Sequence, residues 1–285
     1  QPQGRKIGSV SVDSHFQPTN HVMISHSLIT DAMKDQFVAE GYMIFEGVIP
    51  EDTMHMLREE CAYFIGYKDA QLDRSGETTE GITHRGSRYF ISHYYRLSHR
   101  LWQFVFSPLM AEIAQAALGP DVYLINEQWV VKGAESGMPF AWHQDSGYVK
   151  FRDPATRHRM YLTCWCTLDD VNEENGTVYL LPHSRGGTSH TVFDHVQEGG
   201  TNDLVGYTGD DPGIPITVSA GSIVAFSSYN FHRSSRNTTD RMRRVYLTQY
   251  SAEPLMSVSG ERSCLAVPFV KNGEISYDHE NNTAA

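Results

Sequence analysis

The sequence predicts a mainly β protein with flanking helices, an antiparallel sandwich or barrel buttressed from its N-terminal side, and three observations carry that prediction. Beyond Gly119 the chain runs through short β-rich segments, among them Tyr161 to Leu168, Val178 to Leu181, Ile223 to Phe226 and Arg244 to Tyr250. Gly, Pro, Asn and Asp clusters separate them, which is the pattern of an all-β sandwich or barrel. Before Gly119 the apolar residues recur at helical spacing instead. Finally, 285 residues with 40% hydrophobic content and no internal repeat are enough for one large core.

Taken in order, residues 1–24 mix Gly, Ser, Pro and His without sustained periodicity and read as an arm, extended or docked on a partner. His15, His21 and His26, unevenly spaced in or just past it, read as loop histidines. From Thr30, a capping residue, to Glu40 the spacing of Ala32, Met33, Phe37 and Val38 predicts a short helix ended by Gly41. Tyr42 to Phe45 follows as a strand. Pro50 opens a second helix, where its missing N–H costs nothing, and Met54, Leu57, Cys61 and Phe64 give that helix an apolar face up to Gly66. The polar stretch 68–87 reads as a loop long enough for a lid, with His84, Arg85 and Arg88 as candidate contacts for an anion and a solvated loop as the plainer account. His99 to Leu118 reads as one helix stopped by Gly119-Pro120. The expected organisation is the arm, one domain over 25–270 (helices at about 30–118, barrel at about 120–255) and a polar tail over 271–285.

The formal net charge of −11, with no compensating basic stripe, argues against a nucleic acid or an anionic membrane as partner, and no apolar run reaches membrane-spanning length. Cys61, Cys164, Cys166 and Cys264 are few and irregularly placed, which predicts reduced core thiols and a cytoplasmic protein. The start shows no basic segment leading into an apolar one, so secretion is not expected. The arm is available for a homodimer contact.

The chemistry gathers at His143-Gln144-Asp145. In an extended strand, residues i and i+2 share a face, so an imidazole and a carboxylate would take adjacent positions on one metal ion. A second imidazole completes a two-histidine, one-carboxylate set with open positions for reaction, and His232, after the strand Ile223 to Phe226, is the best placed. On its own the three-residue motif is weak among 14 histidines, and a surface turn capped by Asp145 is the bland alternative. Eleven residues past His232 lies Arg243. Alternation sets Arg243, Val245, Leu247 and Gln249 on one face and Arg244, Tyr246 and Thr248 on the other. An arginine facing a barrel interior needs a carboxylate, which the far end of a 2-oxo acid would supply.

The segments LGPDVYLINEQWVVKGAESG leading into WHQDSGY, CWCTLDDVNEENGTVYLLPHS, FHRSSRNTTDRMRR and the opening FVAEGYMIFEGVIPEDTMHMLREE together resemble the phytanoyl-CoA dioxygenase (PhyH) family of iron(II)- and 2-oxoglutarate-dependent oxygenases. The resemblance covers most of residues 30–255. It implies a double-stranded β-helix, a jelly-roll or cupin-like barrel. It also implies iron(II) on His143, Asp145 and His232, a salt bridge from Arg243 to 2-oxoglutarate, and Ser234 and Trp165 lining the co-substrate site. For those last two, a turn residue and a core residue are the ordinary alternatives. With O2, such an enzyme converts 2-oxoglutarate to succinate and CO2 while hydroxylating a small molecule. In related halogenases a small residue replaces the carboxylate, so Asp145 implies hydroxylation or another oxidation instead. Pro182-His183-Ser184-Arg185 departs from the family's usual Pro-Gly-Ser-His, which puts that turn in question; His183 reads as a surface turn residue, with a pocket role as the alternative.

Two other readings stay open on the sequence. One is a β-barrel sensor or binding protein that keeps the metal without turnover, although such a protein has no need of Arg243. The other is a cupin-like metal enzyme that does not use 2-oxoglutarate. The aromatic segments Tyr89-Phe90, Tyr94-Tyr95 and Trp129 are candidates for the substrate pocket or for the core.

Overall fold

The computed structural model describes residues 28–279; the predicted arm, with His15, His21 and His26, lies outside them. Two antiparallel sheets face each other. The larger runs in the order Tyr42–Phe45, Ile223–Ser227, Leu162–Thr167, Arg243–Ser251, Val122–Lys132, Arg88–Ser92 and ends in a small hairpin. The smaller runs Ile214–Pro215, Val178–Leu181, Phe231–Ser234, Phe140–His143. This is the jelly-roll form that the family resemblance implied.

Alternation along the strands sorts residues between two cores. In Leu162–Thr167, Cys164 and Cys166 turn outward to pack with Leu57, Phe64 and Phe104 of the helices, while Trp165 turns inward with Val178, Leu180, Phe226 and Leu247. Helices and large sheet therefore share one apolar core on the outer face, and the space between the sheets is left for the site. The cysteines are free; three are buried, as expected of core thiols.

The first helix, Asp31–Glu40, forms as predicted: Thr30 accepts from the Met33 N–H and Gly41 takes φ 85° at the C-cap. The second does not stop at Gly66 but continues from Glu51 to Ser75 and ends at Gly76 with φ 72°. One glycine costs a helix only about 1 kcal/mol against alanine, and the extra turns bury Leu72 and the stem of Lys68, whose ammonium meets Glu80 at 3.1 Å. The expected loop over 68–87 is thus half helix. The rest is the Thr79–Glu80/Thr83–His84 hairpin, fastened by Arg85 to Asp73 and, at 3.6 Å, to Asp69. The helix expected over His99 to Leu118 is two helices, His99–Val105 and Pro108–Leu118, because Pro108 has no N–H to give and Ser107 caps a fresh start at Met110 N. Within the described residues of the expected tail, Tyr277 stacks on Phe106 with ring centroids 3.5 Å apart.

Candidate metal centre and its two chambers

His143 closes the strand Phe140–His143, and Asp145 opens the helix Asp145–Arg152. The motif therefore straddles a strand-to-helix junction; the expectation of a continuous strand is corrected here, although both side chains still reach one place. Gln144 fixes the junction. Its amide donates to the carbonyls of Thr191 and Tyr229 at 2.8 and 2.7 Å and accepts from Phe193 N at 2.7 Å, while its backbone N–H donates to His195 Nε2 at 2.9 Å. Nothing in the sequence marks His195, but its ring fills the gap between Gly147 and Gly206. A Cβ at Gly147 would stand 2.1 Å from its Cε1.

His232, on Phe231–Ser234, is the cross-strand partner of His143. Both rings donate from Nδ1 to a backbone carbonyl, His143 to Ala141 at 2.8 Å and His232 to Asn230 at 3.2 Å. That fixes the tautomer and leaves each Nε2 lone pair free, 3.6 Å from Asp145 Oδ1 in both cases. The other carboxylate oxygen, Oδ2, accepts from Thr163 Oγ1 at 2.5 Å and Gln249 Nε2 at 2.9 Å. Burial alone would raise Asp145, but the two imidazoles and Thr163 hold it down at about 2, while burial and the nearby His143 bring His232 to about 3. With each imidazole donating from Nδ1, the site offers one carboxylate and two Nε2 atoms as ligands, all within 4.8 Å of one another. This donor set fits a divalent transition metal such as iron(II).

Arg243 reaches into a cavity that the triad also lines. It is 1% exposed, donates from Nη1 to the Val130 carbonyl at 3.4 Å and lies over the Trp165 ring at 5.4 Å. Its buried Nε has no partner, and burial lowers the guanidinium to about 9, with Asp169 raising it only in part. Arg244, on the opposite face as alternation requires, pairs with Asp169 at 2.6 and 3.0 Å. Trp165 and Ser234 both line the Arg243 cavity.

Lys132 was not singled out from the sequence. It sits opposite both Arg243 and Arg88 across adjacent strands and lines the same cavity. Its ammonium donates to the carbonyls of Met138, at 2.7 Å, and Ser235, which leaves one of three N–H groups. The signal was present: Gln128, Val130 and Lys132 alternate with the core residues Trp129 and Val131. Arg88, a candidate anion contact, is already paired with Asp203 at 2.7 and 3.1 Å. His84 and Arg85 line neither chamber.

A second chamber meets the first at Phe90, Gln128, Phe140, His143 and Asp145. His143 and Asp145 thus stand between two spaces, one lined by His232 and Arg243 and the other by Arg152. Of the aromatic candidates only Phe90 lines them; Tyr89, Tyr95 and Trp129 belong to the helix-side core, against which Tyr94 packs. His183 is neither a pocket group nor a surface residue. It is buried, bonds Thr188 Oγ1 at 2.7 Å, and packs so tightly on Gly41 that a Cβ there would stand 2.4 Å from its Nε2.

The family model described as phytanoyl-CoA dioxygenase (PhyH) matches residues 37–245, well over half of the chain. The chain belongs to the phytanoyl-CoA dioxygenase family. As a member of it, the protein is a non-haem iron(II) enzyme that uses 2-oxoglutarate as co-substrate. The ectoine dioxygenase of Bordetella parapertussis (strain 12822) is 29% identical over 234 residues, covering 75% of this chain and 73% of that one. The methylphosphonate hydroxylase of Gimesia maris is 24% identical over 232 residues, covering 80% and 82%. Among solved structures, EctD from S. alaskensis with 2-oxoglutarate and 5-hydroxyectoine has the same fold, with TM-score 0.62 at 20% identity over 87% of this chain and 82% of that one. EvdO2 from Micromonospora carbonacea var. aurantiaca complexed with 2-oxoglutarate gives TM-score 0.60 at 24% identity over 78% and 90%. No helix among the described residues is long and apolar enough to cross a membrane.

Proposed function

We propose that His143, Asp145 and His232 hold the iron, and that Arg243, with Ser234, Trp165 and Lys132 around it, receives the far carboxylate of 2-oxoglutarate. The enzyme hydroxylates a small molecule bound in the second chamber. The observation that carries this reading is the buried, uncompensated Arg243 guanidinium in the cavity that the triad lines. A cation so placed is costly unless a carboxylate joins it. Bound iron with 2-oxoglutarate couples oxidative decarboxylation, which yields succinate and CO2, to insertion of one oxygen atom of O2 into a substrate C–H bond.

The chain's own residues do the positioning. Ala141 and Asn230 orient the imidazoles, and Thr163 and Gln249 hold Oδ2 so that Oδ1 faces the metal position. Apolar Val130, Phe226 and Leu247 keep water from the co-substrate end. A dry, preset site of this kind is the protein's share of the catalysis. Residues 25–270 act as one domain on this reading, and the four free thiols fit a reducing, cytoplasmic setting.

The test is an anaerobic titration of apoprotein with Fe(II) and then 2-oxoglutarate, read by the weak visible charge-transfer band. The band is expected only after both additions and is absent in Asp145→Ala. Bound metal with no band would overturn the reading and favour a metal-binding barrel or a metal enzyme that does not use 2-oxoglutarate.

A further inference from the structure

The helix that begins at Asp145 also walls the second chamber. Residues i, i+3 and i+7 share a helix face, and Asp145, Tyr148 and Arg152 have that spacing and all line this space. Asp145 stands at the metal end. Arg152, seven residues on, is displaced along the axis by about 10 Å at 1.5 Å per residue.

Arg152 is exposed at the outer end of the chamber and has no carboxylate of its own. Its Nε donates to the Tyr148 carbonyl at 3.3 Å, and among the described residues it forms no ion pair, whereas neighbouring Lys150 is taken by Asp194 at 2.8 Å. The other polar groups nearby are poised to donate. The Tyr148 hydroxyl accepts from Leu204 N at 3.3 Å and keeps its proton to give; the Gln128 carbonyl accepts from Ser92 Oγ at 3.1 Å and keeps its NH₂. The chamber's one carboxylate is Asp145, already engaged by Thr163 and Gln249. Cation and donors are therefore available to a ligand, but no free carboxylate is there for an ammonium.

We propose that the substrate is a small oxyanion, a carboxylate or phosphonate, whose anionic group pairs with Arg152 while the carbon to be oxidised lies at the Asp145 end, within about 10 Å of it. This inference rests on the reading of the triad as the iron site. It selects the substrate by its charge and length, two properties that the triad and Arg243 leave open.

The experiment uses the holoenzyme, loaded with Fe(II) and 2-oxoglutarate without oxygen, and then titrated at millimolar concentration with five probes. Methylphosphonate, L-proline and ectoine carry an oxyanion; L-prolinamide and choline do not. Readouts are the shift of the charge-transfer band and, after oxygen is admitted, probe-dependent consumption of 2-oxoglutarate. At least one oxyanion is expected to give both, and the other two probes neither. Arg152→Gln should raise the half-saturating concentration at least tenfold, Arg152→Lys should recover part of the loss, and Arg157→Gln should behave as the parent. A response to L-prolinamide or choline, an unshifted Arg152→Gln titration, or silence with all three oxyanions would overturn the proposal. Absence of the band before any probe would instead be a failure of the iron reading.

Discussion

Replacing Arg243 by Met is expected to move stability and co-substrate affinity in opposite directions. The guanidinium is buried, its Nε is unpartnered, and Asp169, the carboxylate whose charge favours it, is committed to Arg244. Burial brings it from an ordinary 12.5 to about 9, and at about 1.36 kcal/mol per pKa unit this bounds the cost of keeping the charge at about 5 kcal/mol. Methionine fills similar space against Trp165 and Leu247 but gives up the Val130 carbonyl and the cation–π contact, so a net gain of about 1–3 kcal/mol is expected for the apoprotein. For a chain of this size the melting temperature should rise by about 2–4 °C for each kcal/mol. The same change removes charge-assisted hydrogen bonds of about 1.5–3 kcal/mol each, so affinity for 2-oxoglutarate should fall at least a hundredfold. Calorimetric melts of metal-free protein and anaerobic titration of the charge-transfer band measure the two effects. Arg244→Met is the control on the opposite face: it breaks the Asp169 pair and should lower the melting temperature with little effect on 2-oxoglutarate. If Arg243→Met were less stable and bound 2-oxoglutarate normally, the orphan-cation argument would be refuted.

Three further expectations bear on the scaffold. Asp203→Asn leaves Arg88 buried with half a partner and loosens the bond from Ala141 N, 3.1 Å from the carboxylate; urea unfolding should show a loss of about 3–5 kcal/mol, and a loss below 1 kcal/mol would mean water already screens the pair. Gln249→Leu unties Asp145 Oδ2, and iron affinity measured against a competing chelator should weaken about 10- to 100-fold; unchanged affinity would show that Thr163 alone suffices. His195 is held at about 4 and His232 at about 3, chiefly by burial, against an ordinary 6.5. The unfolded chain therefore takes up protons first, and apoprotein stability is expected to fall as pH drops from about 6.5 towards 4. A flat profile of urea midpoints across that range would contradict the depressed values.

The barrel was legible where strands advertise themselves by β-branched and aromatic runs, and hidden where they do not. Val178–Leu181 and Ile223–Ser227 stand out as apolar segments between turn residues. Phe140–His143 does not: it follows a proline, is only four residues long, and bends at once into a helix. Arg88–Ser92 does not stand out as a strand because it follows directly on a polar stretch and opens with an arginine, whose burial depends on Asp203, 115 residues away. Helix ends failed for a related reason. Gly66 reads as a stop by local propensity, but burial of Leu72 and the Lys68–Glu80 pair outweigh one glycine.

The same limit explains what was and was not readable in the site. Alternation correctly parted Arg243 from Arg244, because strand geometry is local and a period of two survives any tertiary environment. It could not say which cation is left unneutralised. Arg88, Lys132, Arg243 and Arg244 look alike in the sequence, yet Asp203 cancels the first, two carbonyls hold the second and Asp169 cancels the fourth. Met138 apart, those partners lie far along the chain, so only the folded chain reveals that the buried Arg243 Nε is unpaired and that the exposed Arg152 forms no ion pair among the described residues. The two arginines, one buried and one exposed, line separate chambers that meet at His143 and Asp145. A metal centre flanked in this way has separate places for two anions, so that 2-oxoglutarate and substrate need not compete for one cation.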